Sequence, residues 1–310
     1  MRADDILTLA AKDSARPVLL AGPTASGKSS LALRIAQDQG RAVVNADAIQ
    51  VFENWRILTA RPSVADEARG PHHLYGHVPG DAPYSVGTWL RDIAPLLDAI
   101  PAPIPAPAPA PTTAPVIVGG TGLYFTALTE GLADIPATPD ATRRTALARL
   151  ERGELSQMIA ELDAPTRARI DTANPMRVQR AWEVLQTTGR GLANWQDSTD
   201  PPRLPLSQAI AIVIDAPKDW LTPRIEQRFD QMLAEGALEE ARANLDTWDP
   251  SHPSSKAIGA SELIDVVAGR MTKDDARDRA TIATRQFAKR QRTWFRARMQ
   301  GWTRIFAPDL

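Results

Sequence analysis

Gly22-Pro23-Thr24-Ala25-Ser26-Gly27-Lys28-Ser29 fits the pattern G-x-x-x-x-G-K-[ST], and its flanks fit as well. Pro17-Val18-Leu19-Leu20-Ala21 ahead of it is a short apolar run suited to a buried parallel strand. Ser30 to Ala36 behind it carries apolar residues at helical spacing, with Leu31 and Ile35 four apart. A glycine-rich turn between a strand and a helix is the setting in which this motif cradles phosphates. Its backbone N–H groups wrap an anion at the helix N-terminus. Lys28 then reaches the outer phosphates, and the Ser29 hydroxyl is placed to ligate Mg²⁺. Gly22 to Ser29 is therefore a candidate polyphosphate or pyrophosphate site, and the motif alone leaves open which of the two it takes.

Working outward, Ala42-Val43-Val44-Asn45-Ala46 is a second strand that ends in Asp47. An acid at the carboxyl end of a strand beside a phosphate loop lies where open α/β sheets place ligands. Asp47 can serve as a general base, hold Mg²⁺ through water, or simply cap a turn. Gln50, three positions on, can face the same crevice. Val116-Ile117-Val118 is a third strand, and Gly119-Gly120-Thr121-Gly122 after it allows close backbone approach to a ligand, with Thr121 supplying a hydroxyl. Ile210 to Asp215 is a further strand. The expected fold class is α/β: a P-loop NTPase-like parallel sheet flanked by helices.

The chain has 310 residues, no cysteine and a formal net charge of −1. Disulfides and thiol catalysis are excluded, and any nucleic-acid binding must come from local basic patches. Residues 1–16 lack the apolar core of a signal peptide, and no apolar run reaches the roughly 20 residues of a membrane span. A cytoplasmic, monomeric protein with no membrane partner is expected. His72, His73 and His77 are three of the four histidines; without helical i,i+4 spacing they read as packing and loop residues rather than metal ligands.

From 135 to 202 strand signals give way to arginine-rich helical patterns, which predicts an inserted all-helical subdomain within a core formed by 1–134 and 203–310. Asn174-Pro175 is a helix start, an N-cap followed by proline at the first position. Arg177 and Arg180 share one face of that helix. Residues 101–115 alternate proline and alanine and read as an extended surface linker. A later helix is expected to begin at Thr222-Pro223, with Ile225, Phe229, Met232 and Leu233 as its core stripe; Arg224 and Arg228 are a pair that can clamp an anion or simply ion-pair with Glu226, Asp230 or neighbours. Arg285 to Arg304 holds seven basic residues and no acid, with Trp294, Phe295 and Trp302 among them. That stretch is either a nucleic-acid footprint with stacking groups or a solvated helix face.

The ordered motifs resemble the bacterial tRNA dimethylallyltransferases, also called tRNA isopentenyltransferases. The stretches that carry the resemblance are G-P-T-A-S-G-K-S (22–29), A-D-A-I-Q-V-F (46–52), T-A-R-P (59–62) and P-H-H-L (71–74). They continue with G-G-T-G-L-Y (119–124), N-P-M-R-V-Q-R-A-W-E-V (174–184), R-I-E-Q-R-F (224–229), K-A-I-G-A-S-E (256–262) and T-R-Q-F-A-K-R-Q-x-T-W-F (284–295). The resemblance spans nearly the whole chain. It implies transfer of a dimethylallyl group from its diphosphate to N6 of the adenosine just 3′ of the tRNA anticodon, with Mg²⁺ as cofactor.

Carried over by position, Thr24 to Ser29 would bind the diphosphate, in a loop conventionally called nucleotide- or ATP-binding. Asp47 would be the base, Lys28 and Arg224 would act on the leaving pyrophosphate, and Thr121 would contact the target adenosine. Asp47, Ala48, Ile49, Gln50 and Thr121 would meet the tRNA at the site. Arg143, Met176, Arg177, Val178, Gln179 and Arg180 would meet the anticodon stem-loop. Ala48 stands where the family usually has serine, and Ala260 where it has tyrosine; neither touches Lys28, Asp47, Thr121 or Arg224. The zinc finger of some eukaryotic relatives is absent, in keeping with zero cysteines. The competing reading of the same loop and acid is a P-loop small-molecule kinase.

Overall fold

The strands Val18–Ala21 (β1), Val43–Asn45 (β2), His72–His73 (β3), Val116–Gly119 (β4), Ile210–Asp215 (β5) and Thr303–Phe306 (β6) form one sheet in the order β3-β2-β4-β1-β5-β6. Every pairing in it is parallel. The computed structural model describes residues 2–98 and 113–310. β1 lies between β4 and β5, so both of its edges are paired, and with a core on each face it reads as an unbroken apolar run. Its side chains alternate between two cores. Val18 and Leu20 pack with Leu31 and Ile35 of the helix Lys28–Gln39, whereas Leu19 and Ala21 pack with Trp89, Phe125 and Trp302.

Two compact units make up the described chain: 1–129 with 204–310, and 130–203. The first holds the sheet. The second holds only helices as regular elements, among them Asp140–Glu151, Leu155–Glu161 and Pro175–Thr188, packed on Ala146, Met158, Val178, Ala181 and Trp182. The helix Pro175–Thr188 starts where its sequence says, since the Asn174 side chain accepts from the N–H groups of Met176 and Arg177, and it stops at Gly189 in the left-handed conformation.

Several expectations need correction. β3 and β6 lie in stretches read as a loop and as part of a basic footprint; two and four residues are too few to show a period. Phe295 and Trp302 are buried core residues, so they are unavailable for stacking on a nucleic acid. The basic stretch from Arg285 belongs chiefly to one long helix, Lys273–Arg298. The helix expected from Thr222 runs over Lys218–Ala234, with Pro223 inside it. Residues 101–112 of the proline–alanine linker fall outside the described residues, but its last positions are not surface spacer. Ala114 is fully buried, and Pro115 O accepts the N–H of Val18.

One buried cation organises the N-terminal edge. Arg41 is 1% exposed and uses every guanidinium N–H. Nη1 donates to Arg16 O and Ala114 O, Nη2 to Ala10 O and Asp13 O, and Nε to Gln39 Oε1. Burial pushes its pKa down, with Asp13 acting the other way. Arg41→Met should lower stability by about 3 kcal/mol or more, because it strands several carbonyls away from water. A melting temperature equal to that of the parent chain would refute this account.

Candidate active site

β1 delivers the chain into the phosphate loop, and the helix Lys28–Gln39 leaves it. Gly27 caps that helix with φ +87°, a left-handed conformation that glycine adopts without cost. Ser26 Oγ is buried with no partner in the protein, and a phosphate oxygen seated in the loop would satisfy it. Lys28 Nζ lies 3.4 Å from Pro23 O. Its pKa is lowered from 10.5 to about 8 by burial first and by the Arg228 guanidinium second, with Asp47 opposing. Two crowded cations make a socket that an anionic ligand stabilises.

Across the sheet, the turn after β2 is built around Asp47. Asn45 Oδ1 accepts the Asp47 N–H at 2.8 Å, and Asp47 Oδ1 accepts the Ile49 N–H at 3.0 Å. Thr121, just past β4, is tied to the same turn: Ala48 N–H donates to its Oγ1 at 2.9 Å, and its own N–H donates to Ala46 O. Thr121 Oγ1 accepts in that bond, so its hydroxyl proton is left to be donated. Gln50 spends its amide N–H groups on Thr59 O and Ala60 O, which makes it a brace for the following loop.

These groups face one cavity of about 610 Å³, wholly within the first unit. Its polar lining includes Thr24, Lys28, Asp47, Thr121 and Arg228, with Lys256, Arg290 and Gln291 also on it, and Leu58, Ile225, Phe229, Met232, Ile258 and Trp294 form an apolar wall. A few convergent polar groups in a largely apolar cleft are the usual make-up of a small-molecule site. Ala48, Ile49 and Gln50 also line it. Ser29 is exposed at the second position of its helix.

Arg224 is not among the lining residues. It is exposed and stacks on Trp220, 4.1 Å from the ring centroid. It lies about 100° round the helix from Ile225, whereas Arg228, Phe229 and Met232 share the Ile225 face. Arg228 is the arginine at the cavity, donating to Thr24 Oγ1 at 3.1 Å. Sequence spacing gave both arginines as a pair; only the register of the helix chooses between them.

In the second unit Arg143, Met176, Arg177 and Arg180 are exposed. Val178 and Gln179 are not. Val178 is fully buried in the helical core, and Gln179, 6% exposed, donates to Glu183 Oε1 at 2.7 Å, so neither offers a surface to RNA. Arg180 donates to Thr138 Oγ1; partial desolvation of its guanidinium lowers its pKa, with Glu183 opposing and the like charge of Arg143 adding to the fall.

Among the described residues no three His, Cys, Asp or Glu side chains cluster as a metal site, and no helix is long and apolar enough to cross a membrane.

Residues 50–298 match the family model for IPP transferase, and residues 16–75 match that for isopentenyl transferase. The chain belongs to the IPP transferase family. A tRNA dimethylallyltransferase from Dinoroseobacter shibae is 58% identical over 304 residues, covering 97% of each chain. Among solved structures, a full-length tRNA isopentenylpyrophosphate transferase from Bacillus halodurans is 29% identical with a TM-score of 0.62, covering 94% of this chain and 90% of its own. A eukaryotic dimethylallyltransferase acting on tRNA is 22% identical with a TM-score of 0.74, covering 94% of this chain and 74% of its own, and supports the fold. Family membership makes the chain a prenyltransferase with a P-loop NTPase-like core.

Proposed function

We propose that this chain transfers the dimethylallyl group of dimethylallyl diphosphate to N6 of the adenosine immediately 3′ of the anticodon in tRNA, in the cytoplasm. The observation that carries the reading is the joint lining of one cavity by Lys28, Arg228, Asp47 and Thr121 in a chain 58% identical to a tRNA dimethylallyltransferase. Backbone N–H groups from Gly27 to Ser29, with the Lys28 ammonium and Arg228, hold the diphosphate, and the apolar wall takes the prenyl tail. The adenosine must leave its stack to enter such a cleft. There Thr121 donates to the purine, and Asp47 Oδ2 accepts the N6 proton. The N6–C1 bond forms as the C1–O bond breaks, and diphosphate departs into a socket already electropositive.

Magnesium suits the donor set, which consists of hard oxygens: the Ser29 hydroxyl, the Asp47 carboxylate through water, and the diphosphate itself. The ion would neutralise charge developing on the leaving group.

The test is incubation with labelled dimethylallyl diphosphate or labelled ATP, with and without unmodified tRNA. Label should move to RNA from the prenyl donor alone; movement from the γ-phosphate of ATP to a small molecule would establish the kinase reading instead.

The exposed arginines of the helical unit are the proposed grip on the anticodon stem-loop. Arg177→Ala with Arg180→Ala should raise the tRNA Michaelis constant and flatten its salt dependence, because each lost phosphate contact releases fewer counterions. Donor affinity should not move. An unchanged salt slope would return both arginines to an ordinary solvated face.

A further inference from the structure

We propose that Gln291, in the helix Lys273–Arg298, is a positioning residue that fixes the distance between the phosphate loop and the Thr121 loop, and so aligns donor and acceptor for transfer. This rests on the transfer reaction proposed above. Gln291 is 5% exposed. Its Oε1 accepts the Thr24 N–H at 2.9 Å, and its Nε2 donates to Gly120 O at 2.9 Å. The partners settle which end of the amide is which, since a backbone N–H can only donate and a carbonyl can only accept. A Cβ placed on Gly120 would lie 2.3 Å from Gln291 Nε2 and 3.3 Å from Asp47 Oδ2, so the loop sits flush against this side chain with the carboxylate close by.

The bonds continue in both directions. Thr24 Oγ1 accepts from Arg228 at the donor end. Beyond Gly120, Thr121 Oγ1 accepts from the Ala48 N–H beside Asp47. Gln291 thus joins the Thr24 loop to the Gly120 loop in a hydrogen-bonded run from the cation that holds diphosphate to the turn that holds the base. Each loop closes its own turn without it, so it does not build either subsite. The paired strand ends are already joined where Gly22 N–H donates to Gly119 O; one step further out, at Thr24 and Gly120, Gln291 ties the two loops, and misplacement by about 1 Å can cost about 10²-fold.

The test compares Gln291→Glu and Gln291→Met with the parent chain in single-turnover transfer from dimethylallyl diphosphate to tRNA, with both substrates saturating. Gln291→Glu retains an acceptor for Thr24 but turns a carboxylate oxygen on Gly120 O. Gln291→Met is apolar, similar in size and makes neither bond. Transfer should fall about tenfold in the first and about 10²-fold in the second, with dissociation constants for donor and tRNA close to those of the parent.

Gln291→Glu has a further signature. A protonated carboxyl accepts through one oxygen and donates through the other, as the amide does. Its rate relative to the parent should therefore recover as pH falls. Parent-like rates in both variants would overturn the proposal. So would a loss of rate accounted for by weaker substrate binding or by a lower melting temperature, or a Gln291→Glu ratio that does not change with pH. Should Gln291→Glu not fold, Gln291→Met alone decides. A parent chain that moves no label to tRNA would instead overturn the function on which the proposal rests.

Discussion

Asp47→Asn should fold, bind the prenyl donor and bind tRNA much as the parent chain does, and transfer the prenyl group about 10²- to 10⁴-fold more slowly. Asparagine keeps an oxygen for the Ile49 N–H, the bond by which Asp47 Oδ1 closes its turn. What it cannot do is take a proton at the second position. The alternatives separate on the same variant. If Asp47 chiefly holds Mg²⁺, donor binding weakens and high magnesium restores part of it. If Asp47 is only a turn residue, asparagine serves as well and turnover is spared. Asp47 also helps keep Lys28 charged, so the comparison belongs well below pH 8. A tight-binding and fully active Asp47→Asn would refute a base at this position.

Lys28→Ala should slow transfer by roughly 10²-fold or more, the scale of losing one charged contact to a departing anion. The parent chain carries a companion pH signature. The lysine pKa is lowered to about 8 in the free protein, and only the ammonium attracts diphosphate. Donor affinity should hold below pH 8 and decline as pH rises through it, with proton uptake accompanying binding on the alkaline side. The opposite sign applies to folding. Between about 8 and 10.5 the unfolded chain retains a proton that the folded one has lost, so this group's penalty on stability is relieved as pH rises across that window. Lys28→Arg should bind donor without the alkaline decline. A Lys28→Ala chain turning over within a factor of about two of the parent would end the assignment.

How much of this was legible in the sequence depends on how far apart the cooperating residues lie. The phosphate loop, Asp47 and Thr121 each follow directly from a strand that carries its own hydrophobic signal, and parallel topology then brings three strand ends together. Gln291 gave no such signal. Its partners are 267 and 171 residues away, and a buried glutamine in a helix rich in arginine looks like any other polar position. Arg228 was visible beside the stripe of Ile225, Phe229 and Met232, but the resemblance pointed to Arg224, and only the cavity lining shows that Arg228 is the one at the site. Phe295 and Trp302 misled for a related reason. Basic side chains between them suggested a binding surface, while the aromatic rings belong to the side of the chain that turns inward. Local chemistry is written in neighbouring residues, but the direction a side chain faces is decided by the element packed against it.

Arg41 has a consequence for how the sequence can drift. Four of its five acceptors are peptide carbonyls, at positions 10, 13, 16 and 114. A carbonyl is present whatever side chain the residue bears, so those positions can change identity without breaking the contact. Position 41 has no such latitude, since only a guanidinium offers five donors in a fixed fork. Among descendants of this gene the arginine should therefore persist with no co-varying partner, and its loss should find no compensating substitution at the residues it touches.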